Sequence, residues 1–167
     1  MHPYTPYCGS FSYRGRYTYL LTWVTHERAS HFVDAAVVQL ALDNILRAAR
    51  EKQFELMVHM FMPDHLHLIA AGLSDDAELK PFVKLAKQYS GYYYAQAGHR
   101  SKLWQHGGND HIIRDDVDLM DRMRYVVNNP VVAGLVEKPE DYPFLGSQRW
   151  SVEELVGRIS GLKAGAT

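Results

Sequence analysis

The sequence predicts an α+β fold: an antiparallel sheet laid down in βαββαβ order, with one further helix added on its C-terminal side. Three observations carry this. Phe54 to Met62 and His65 to Ala71 are extended runs separated only by Pro63-Asp64, the spacing of a tight hairpin. Two stretches with apolar residues at helical period, 34–52 and 79–97, each follow a predicted strand. A last short strand, ending at Arg114, precedes a third helical stretch over 116–128. Strand, helix, strand, strand, helix, strand is the order of ferredoxin-like folds, whose helices pack on one face of the sheet.

Residues 1–16, rich in Gly, Pro, Ser and Tyr, read as an irregular lead-in. Tyr17 to Thr25 is β-branched and aromatic, the first strand, and His26-Glu27-Arg28 forms its exit loop. Asp34 is placed to cap a helix running to about Lys52, with Val38, Ala41, Leu42, Ile45 and Ala49 on one face. In the second strand strict alternation sets Phe54, Leu56, Val58 and Met60 against Glu55, Met57, His59 and Phe61. Leu79 to about Ala97 carries an apolar stripe of Leu79, Phe82, Val83, Ala86, Tyr93 and Tyr94, and Gly98 stops it. Leu103-Trp104-Gln105 and His111 to Arg114 form a strand interrupted at Gly107-Gly108. Asp115 or Asp116 caps the third helix, which is expected to end at Asn128 ahead of Pro130. Val131 to Val136 and Tyr142-Pro143-Phe144 read as packed coil, and Val152 to Ile159 as a short terminal helix. With no repeat or linker, 1–167 forms one domain with its core at about 17–147.

The 167 residues are 47% hydrophobic, enough for one real core. No apolar run is long enough to cross a bilayer. Met1-His2-Pro3-Tyr4 lacks the charged segment and apolar block of a signal peptide. The single cysteine, Cys8, excludes an internal disulfide framework and points to an intracellular location. A formal net charge of -1 means that no nucleic-acid partner can be argued from global charge. Locally the picture differs. From Leu79 to Asn109 there are five cations, Lys80, Lys84, Lys87, Arg100 and Lys102, and no acid, the electrostatic footprint of a nucleic-acid surface. Arg14 and Arg16, among the N-terminal tyrosines, form a second basic and aromatic segment. A solvated basic face is the competing reading for any one of these side chains.

The chemistry centres on Phe61-Met62-Pro63-Asp64-His65-Leu66-His67-Leu68-Ile69. In a strand, His65 and His67 point to one face and Leu66 and Leu68 to the other. Two such imidazoles can chelate a divalent metal; a polar strand face with two solvated histidines has the same spacing. The helix 116–128 weighs on the choice. At 100° per residue Leu119, Met120, Met123, Val126 and Val127 share a buried arc. Tyr125 lies off that arc with Asp118, Asp121, Arg122 and Asn129 on its side, and Asn129 is one turn after it. A two-histidine metal site facing a phenol oxygen is a workable phosphoryl-transfer centre, in which the phenol attacks phosphorus in line. Tyr92, Tyr93 and Tyr94 are rival nucleophiles, but Tyr93 and Tyr94 sit near the apolar stripe of their helix and read as core.

At these residues the sequence resembles the single-tyrosine transposases with a His-hydrophobic-His (HUH) motif, and in particular their REP-associated branch (RAYT), related to the insertion-sequence Y1 enzymes. Met62-Pro63-Asp64-His65-Leu66-His67-Leu68 resembles the HUH strand. Trp104-Gln105 with Asp110-His111-Ile112-Ile113-Arg114 is similar to the following strand block. Tyr125 to Val131, then Ala133-Gly134-Leu135-Val136 and Asp141-Tyr142-Pro143, is similar to the nucleophile helix and its exit. The resemblance runs from about Tyr17 to Ser147 and rests on three blocks in order.

It implies a metal-dependent endonuclease and strand transferase acting on single-stranded DNA near hairpins, with Tyr125 linked covalently to a 5′-phosphate. It assigns His65 and His67 as ligands of Mg²⁺ or Mn²⁺ and Asn129 as a third, weaker ligand. His111 and His59 could each lie near the metal, and neither is assigned as a ligand. The implied partners are hairpin-forming single strands, the implied state a monomer or homodimer, and the implied location the cytoplasm, at the nucleoid of a bacterial cell. The alternative is a domesticated hairpin-binding protein with little catalysis; a two-histidine hydrolase unrelated to DNA is a third possibility.

Overall fold

In a computed structural model of the chain, residues 11–164 are described; Cys8 and the first N-terminal tyrosines, Tyr4 and Tyr7, lie outside them. The elements are β1 (Thr18–Val24), α1 (Ala35–Lys52), β2 (Phe54–Met62), β3 (His65–Gly72), α2 (Leu79–Gln96), β4 (Asn109–Ile113), α3 (Asp116–Val132), β5 (Leu145–Gly146) and α4 (Val152–Ala164). Among the described residues the strands form one antiparallel sheet in the order β4-β1-β3-β2-β5. The first four strands thus take the ferredoxin-like arrangement expected from the element order.

Alternation divides the core between two faces. Tyr19, Leu21, Trp23, Leu66, Leu68 and Ala70 face α1 and α2, with Val38, Ala41, Ile45, Phe82 and Ala86 packed on them. Leu20, Ile69, Val58, Met60 and Met62 face the other way, against Met123, Val126 and Val127 of α3 and Leu155 and Ile159 of α4. The one-sided helix layer thus holds for α1 and α2, while the two later helices cover the reverse face. Asp34 Oδ1 accepts a hydrogen bond from the Ala36 amide at 2.9 Å, the cap expected for α1.

Four expectations change. β2 does not alternate uniformly: a bulge between Leu56 and Val58 shifts the register against β3. The extra residue moves Val58 and Met60 to the α3 face and brings Phe61 onto the α1–α2 face with Phe54 and Leu56. Second, Pro130 does not end α3, which continues to Val132. Pro130 is buried on the same row as Met123, Val126 and Val127, and that packing offsets the lost amide bond. Ala133 and Leu135 amides close the final turns on Asn129 and Pro130 carbonyls at 2.9 Å, and Gly134 at φ 74 turns the chain out. Third, Tyr93 is 41% exposed, so of the two stripe tyrosines only Tyr94 is core; the helix buries Ser90 instead. Ser90 accepts a hydrogen bond from Trp104 Nε1 at 2.8 Å and donates to Ala86 O, which satisfies it inside the core. Fourth, a further strand forms just beyond Phe144, where none was expected. Leu145 and Gly146 add a short edge strand on Met60 and His59. The terminal helix also runs on to Ala164.

Candidate active site

Register places the two histidines. Antiparallel pairing sets Val24 against His65 and Thr22 against His67, so Thr22 and His67 project from one face side by side. The imidazoles lie with centroids 4.8 Å apart, nearly perpendicular. Thr22 Oγ1 is 2.9 Å from His67 Nδ1, and Asp64 Oδ1 is 2.7 Å from His65 Nδ1. Asp64 is itself held: its carbonyl accepts bonds from the Thr25 amide and hydroxyl, both at 3.0 Å. Its other carboxylate oxygen meets Arg28 at 3.3 Å. Burial pushes the Asp64 carboxyl up, but the bond to His65 and the Arg28 guanidinium outweigh this and hold it below its ordinary value. With both Nδ1 atoms engaged, both Nε2 atoms remain for a ligand on the α3 face.

His67 is 4% exposed. Burial, with a smaller contribution from His65, lowers its pKa to about 4. It is therefore neutral at pH 7, the form that ligates a metal.

Because α3 passes Pro130 without breaking, Tyr125 and Asn129 both reach this face, one helical turn apart. The Tyr125 ring lies 5.6 Å from that of His67, at 71°, and the residue is 56% exposed. Asn129 Nδ2 is 3.3 Å from His67 Nε2, and a half-turn of the amide presents its oxygen at the same place. Among the described residues no three His, Cys, Asp or Glu side chains gather to hold a metal. Two imidazole nitrogens and an amide oxygen are the donors available, and they suit a divalent ion with open positions.

His59 and His111 separate. Met60 pairs with His67, so His59 projects to the opposite face and is not near the site. It packs beside Phe61 and over Gly146, where a Cβ would collide with its ring. His111 pairs with Leu20 and so shares the α3 face. There its Nε2 accepts from Arg122 Nη2 at 2.9 Å. Sequence reasoning missed Thr22 and Asp64 as partners of the histidines. Asp64 was adjacent to His65 in the chain, whereas Thr22 is found only through strand register.

The cations divide as well. Arg14 pairs with Asp76 at 2.5 Å, and Arg16 with Asp75 at 3.4 Å and the Leu73 carbonyl at 2.7 Å. These lie at the Thr18 end of β1, far along the strand from His65. Lys80 sits 6.0 Å from the Tyr13 ring. Lys84, Lys87, Arg100 and Lys102 line one groove of about 850 Å³, together with His26, His99 and Gln105. Lys87 donates to Gly107 O and lies 5.4 Å from the Trp23 ring; burial lowers its pKa. Gln105 hydrogen-bonds Val24 O at 2.9 Å. The groove thus opens at the end of β1 that pairs with His65.

Comparison with known proteins bears on this arrangement. The family model described as Transposase IS200 like matches residues 14–126. The chain is 33% identical over 106 residues to a Haemophilus influenzae protein named as a REP-associated tyrosine transposase, covering 58% of this chain and 60% of that one. It is 27% identical over 107 residues to the REP-associated tyrosine transposase of Escherichia coli K12, covering 64% and 62%. The match thus spans about three fifths of the length of these relatives. A solved REP-associated tyrosine transposase bound to a REP hairpin has the same fold, with a TM-score of 0.71 at 24% identity over 87% of this chain and 82% of that one. On the family match, which includes the His65–His67 strand and the helix as far as Tyr125, this chain belongs to the IS200-like transposases.

Proposed function

We propose that the protein is a transposase of the single-strand type, cutting and rejoining DNA near hairpins through Tyr125. One observation carries the reading: Tyr125 and Asn129 sit one turn apart on α3 and both meet the same buried, neutral imidazole of His67. The naming of two relatives as REP-associated tyrosine transposases, and the REP hairpin bound by a protein of the same fold, support the class of substrate.

The Tyr125 phenol oxygen attacks the scissile phosphorus as the bond to the 3′-oxygen breaks. The products are a 5′-phosphotyrosine and a free 3′-hydroxyl, with protons exchanged with water. A second 3′-hydroxyl attacking the phosphotyrosine reverses the step and joins strands. Exposure of Tyr125 lets a strand approach it, while the covered sheet behind keeps His67 fixed. His65, His67 and Asn129 would hold Mg²⁺ or Mn²⁺, with Asp64 and Thr22 setting the orientation of the rings. When bound, such an ion supplies positive charge against a non-bridging phosphate oxygen. The groove of Lys84, Lys87, Arg100 and Lys102 offers the flanking duplex or strand a cationic wall at the His65 end of the sheet; Lys80 lines an adjoining pocket with Lys84 and Lys87, whereas Arg14 and Arg16 would touch DNA only at the opposite end. No described helix is long and apolar enough to cross a membrane, and a cytoplasmic, nucleoid-associated location follows from the proposed substrate.

The test is incubation with a hairpin-bearing single strand from the host genome and Mn²⁺ or Mg²⁺. The expected result is a covalent adduct mapping to Tyr125, abolished in Tyr125→Phe and by chelator. Hairpin binding without any adduct, unaffected by chelator, would replace this reading with that of a binding protein.

A further inference from the structure

Asp118, Arg122, Tyr125 and Asn129 fall within a 60° arc of α3, a single stripe flanking the buried row of Met123, Val126 and Val127. Asn129 ends it over His67 on β3, and Arg122 stands over His111 on β4. Arg122 is the one cation of the stripe. It is fixed from two sides: Nε donates to Asp118 Oδ1 at 3.1 Å and Nη2 to His111 Nε2 at 2.9 Å. The first bond lies within α3 and the second ties α3 to the sheet, so the guanidinium is pinned to both elements. A guanidinium has donors only and stays charged, so Arg122 keeps its positive charge beside His111. Nη1 has no hydrogen-bond partner among the described residues. Along the axis, Arg122 lies about 4.5 Å from Tyr125 and Asn129 about 6 Å beyond it on the other side. The histidine–asparagine cluster and the guanidinium therefore bracket the nucleophile.

We propose that Arg122 is a positioning residue that grips the phosphate next to the scissile one through its free Nη1 edge, orienting the strand across Tyr125. The inference rests on the reaction proposed above. A preset guanidinium loses little freedom on meeting a phosphate and gains a charge-assisted bond. Asp118 offsets part of its charge but removes the rotamer cost. Held one turn from the phenol, it acts one nucleotide step from the bond that breaks.

The experiment measures adduct formation on strands carrying a neutral methylphosphonate at either neighbour of the scissile position, with wild type, Arg122→Ala and Arg122→Lys. On the natural strand Arg122→Ala slows the adduct by about tenfold to a hundredfold, as for loss of one charged hydrogen bond. On the strand whose contacted phosphate is neutral, wild type is slowed as much and the variant no further. If the variant's penalty multiplies unchanged with both methylphosphonates, Arg122 only holds α3 and the proposal fails. Absence of any penalty on the natural strand overturns it too. Should Arg122→Ala not fold by circular dichroism, the same comparison with Arg122→Lys decides, since lysine keeps the charge and loses the fork. Failure of wild type to form any adduct on the unmodified strand would instead remove the transposase reading.

Discussion

Thr22 Oγ1 and Asp64 Oδ1, at 2.9 and 2.7 Å, engage one nitrogen on each ring of the His65–His67 pair. Partners of this kind fix which nitrogen faces the ligand, and their loss lowers metal affinity about 10–100-fold. Thr22→Val keeps the side-chain shape and removes the bond. It should weaken Mn²⁺ binding in calorimetry by that factor while leaving the circular dichroism spectrum unchanged; unaltered affinity would make Thr22 a packing residue. His59 offers a second measurement at this scale. Burial lowers its pKa from 6.5 to about 4, and its Nδ1 is buried with no partner among the described residues. A base with a depressed folded pKa takes its proton first in the unfolded chain, so stability is complete above about pH 6.5 and falls as pH drops towards 4. The loss should be on the order of 1–3 kcal/mol between these limits. Comparing urea midpoints at pH 7 and pH 5 for wild type and His59→Phe checks this, with a flatter pH profile expected in the variant.

At the scale of elements, α3 decides whether a site exists. Its N-terminus is set by Asp115, whose carboxylate accepts the Asp118 amide at 2.8 Å. Removing that cap in Asp115→Ala should cost about 1 kcal/mol by chemical denaturation. The far end is less expected. A proline two residues before the end of a helix would ordinarily push the residue before it out of helical conformation. Here Asn129 stays helical because Pro130 is buried on the Met123, Val126, Val127 row. Had α3 ended at Asn128, Asn129 would not stand one turn after Tyr125. The strand side shows the reverse relation, a local pattern overruled by pairing. Gln148 Oε1 accepts the Leu56 amide at 2.7 Å beside the bulge, and the residues beyond it change face. The alternation read from Phe54 to Met60 could not reveal this, because a bulge is a property of two strands.

For the molecule as a whole, His65 and His67 come from one strand and Tyr125 and Asn129 from a helix about sixty residues later, joined through β1 and the α3-facing core. Binding a metal to such a site stabilises the folded chain alone, because the donors disperse on unfolding. At a hundredfold excess over the dissociation constant the gain is about 2.7 kcal/mol. Mn²⁺ should therefore raise the melting temperature of wild type, chelator should reverse it, and His67→Ala should abolish the response. A shift retained in His67→Ala would place the metal elsewhere.

What the sequence determined alone were the properties carried by local periodicity and by short ordered motifs: βαββαβ order, the Asp34 cap, the shared face of His65 and His67, the outward Tyr125, and the family resemblance that the family match bears out. These depend on neighbours within a turn or a strand, where steric preference and hydrophobic period leave few choices. Tertiary structure decided the rest: that Thr22 stands beside His67, that His59 leaves the site while His111 joins Arg122, that Tyr93 is exposed, and that α3 survives Pro130. Each of these turns on strand register or on burial against a distant element. Such contacts are set by the free energy of the packed whole, which no window of neighbouring residues contains.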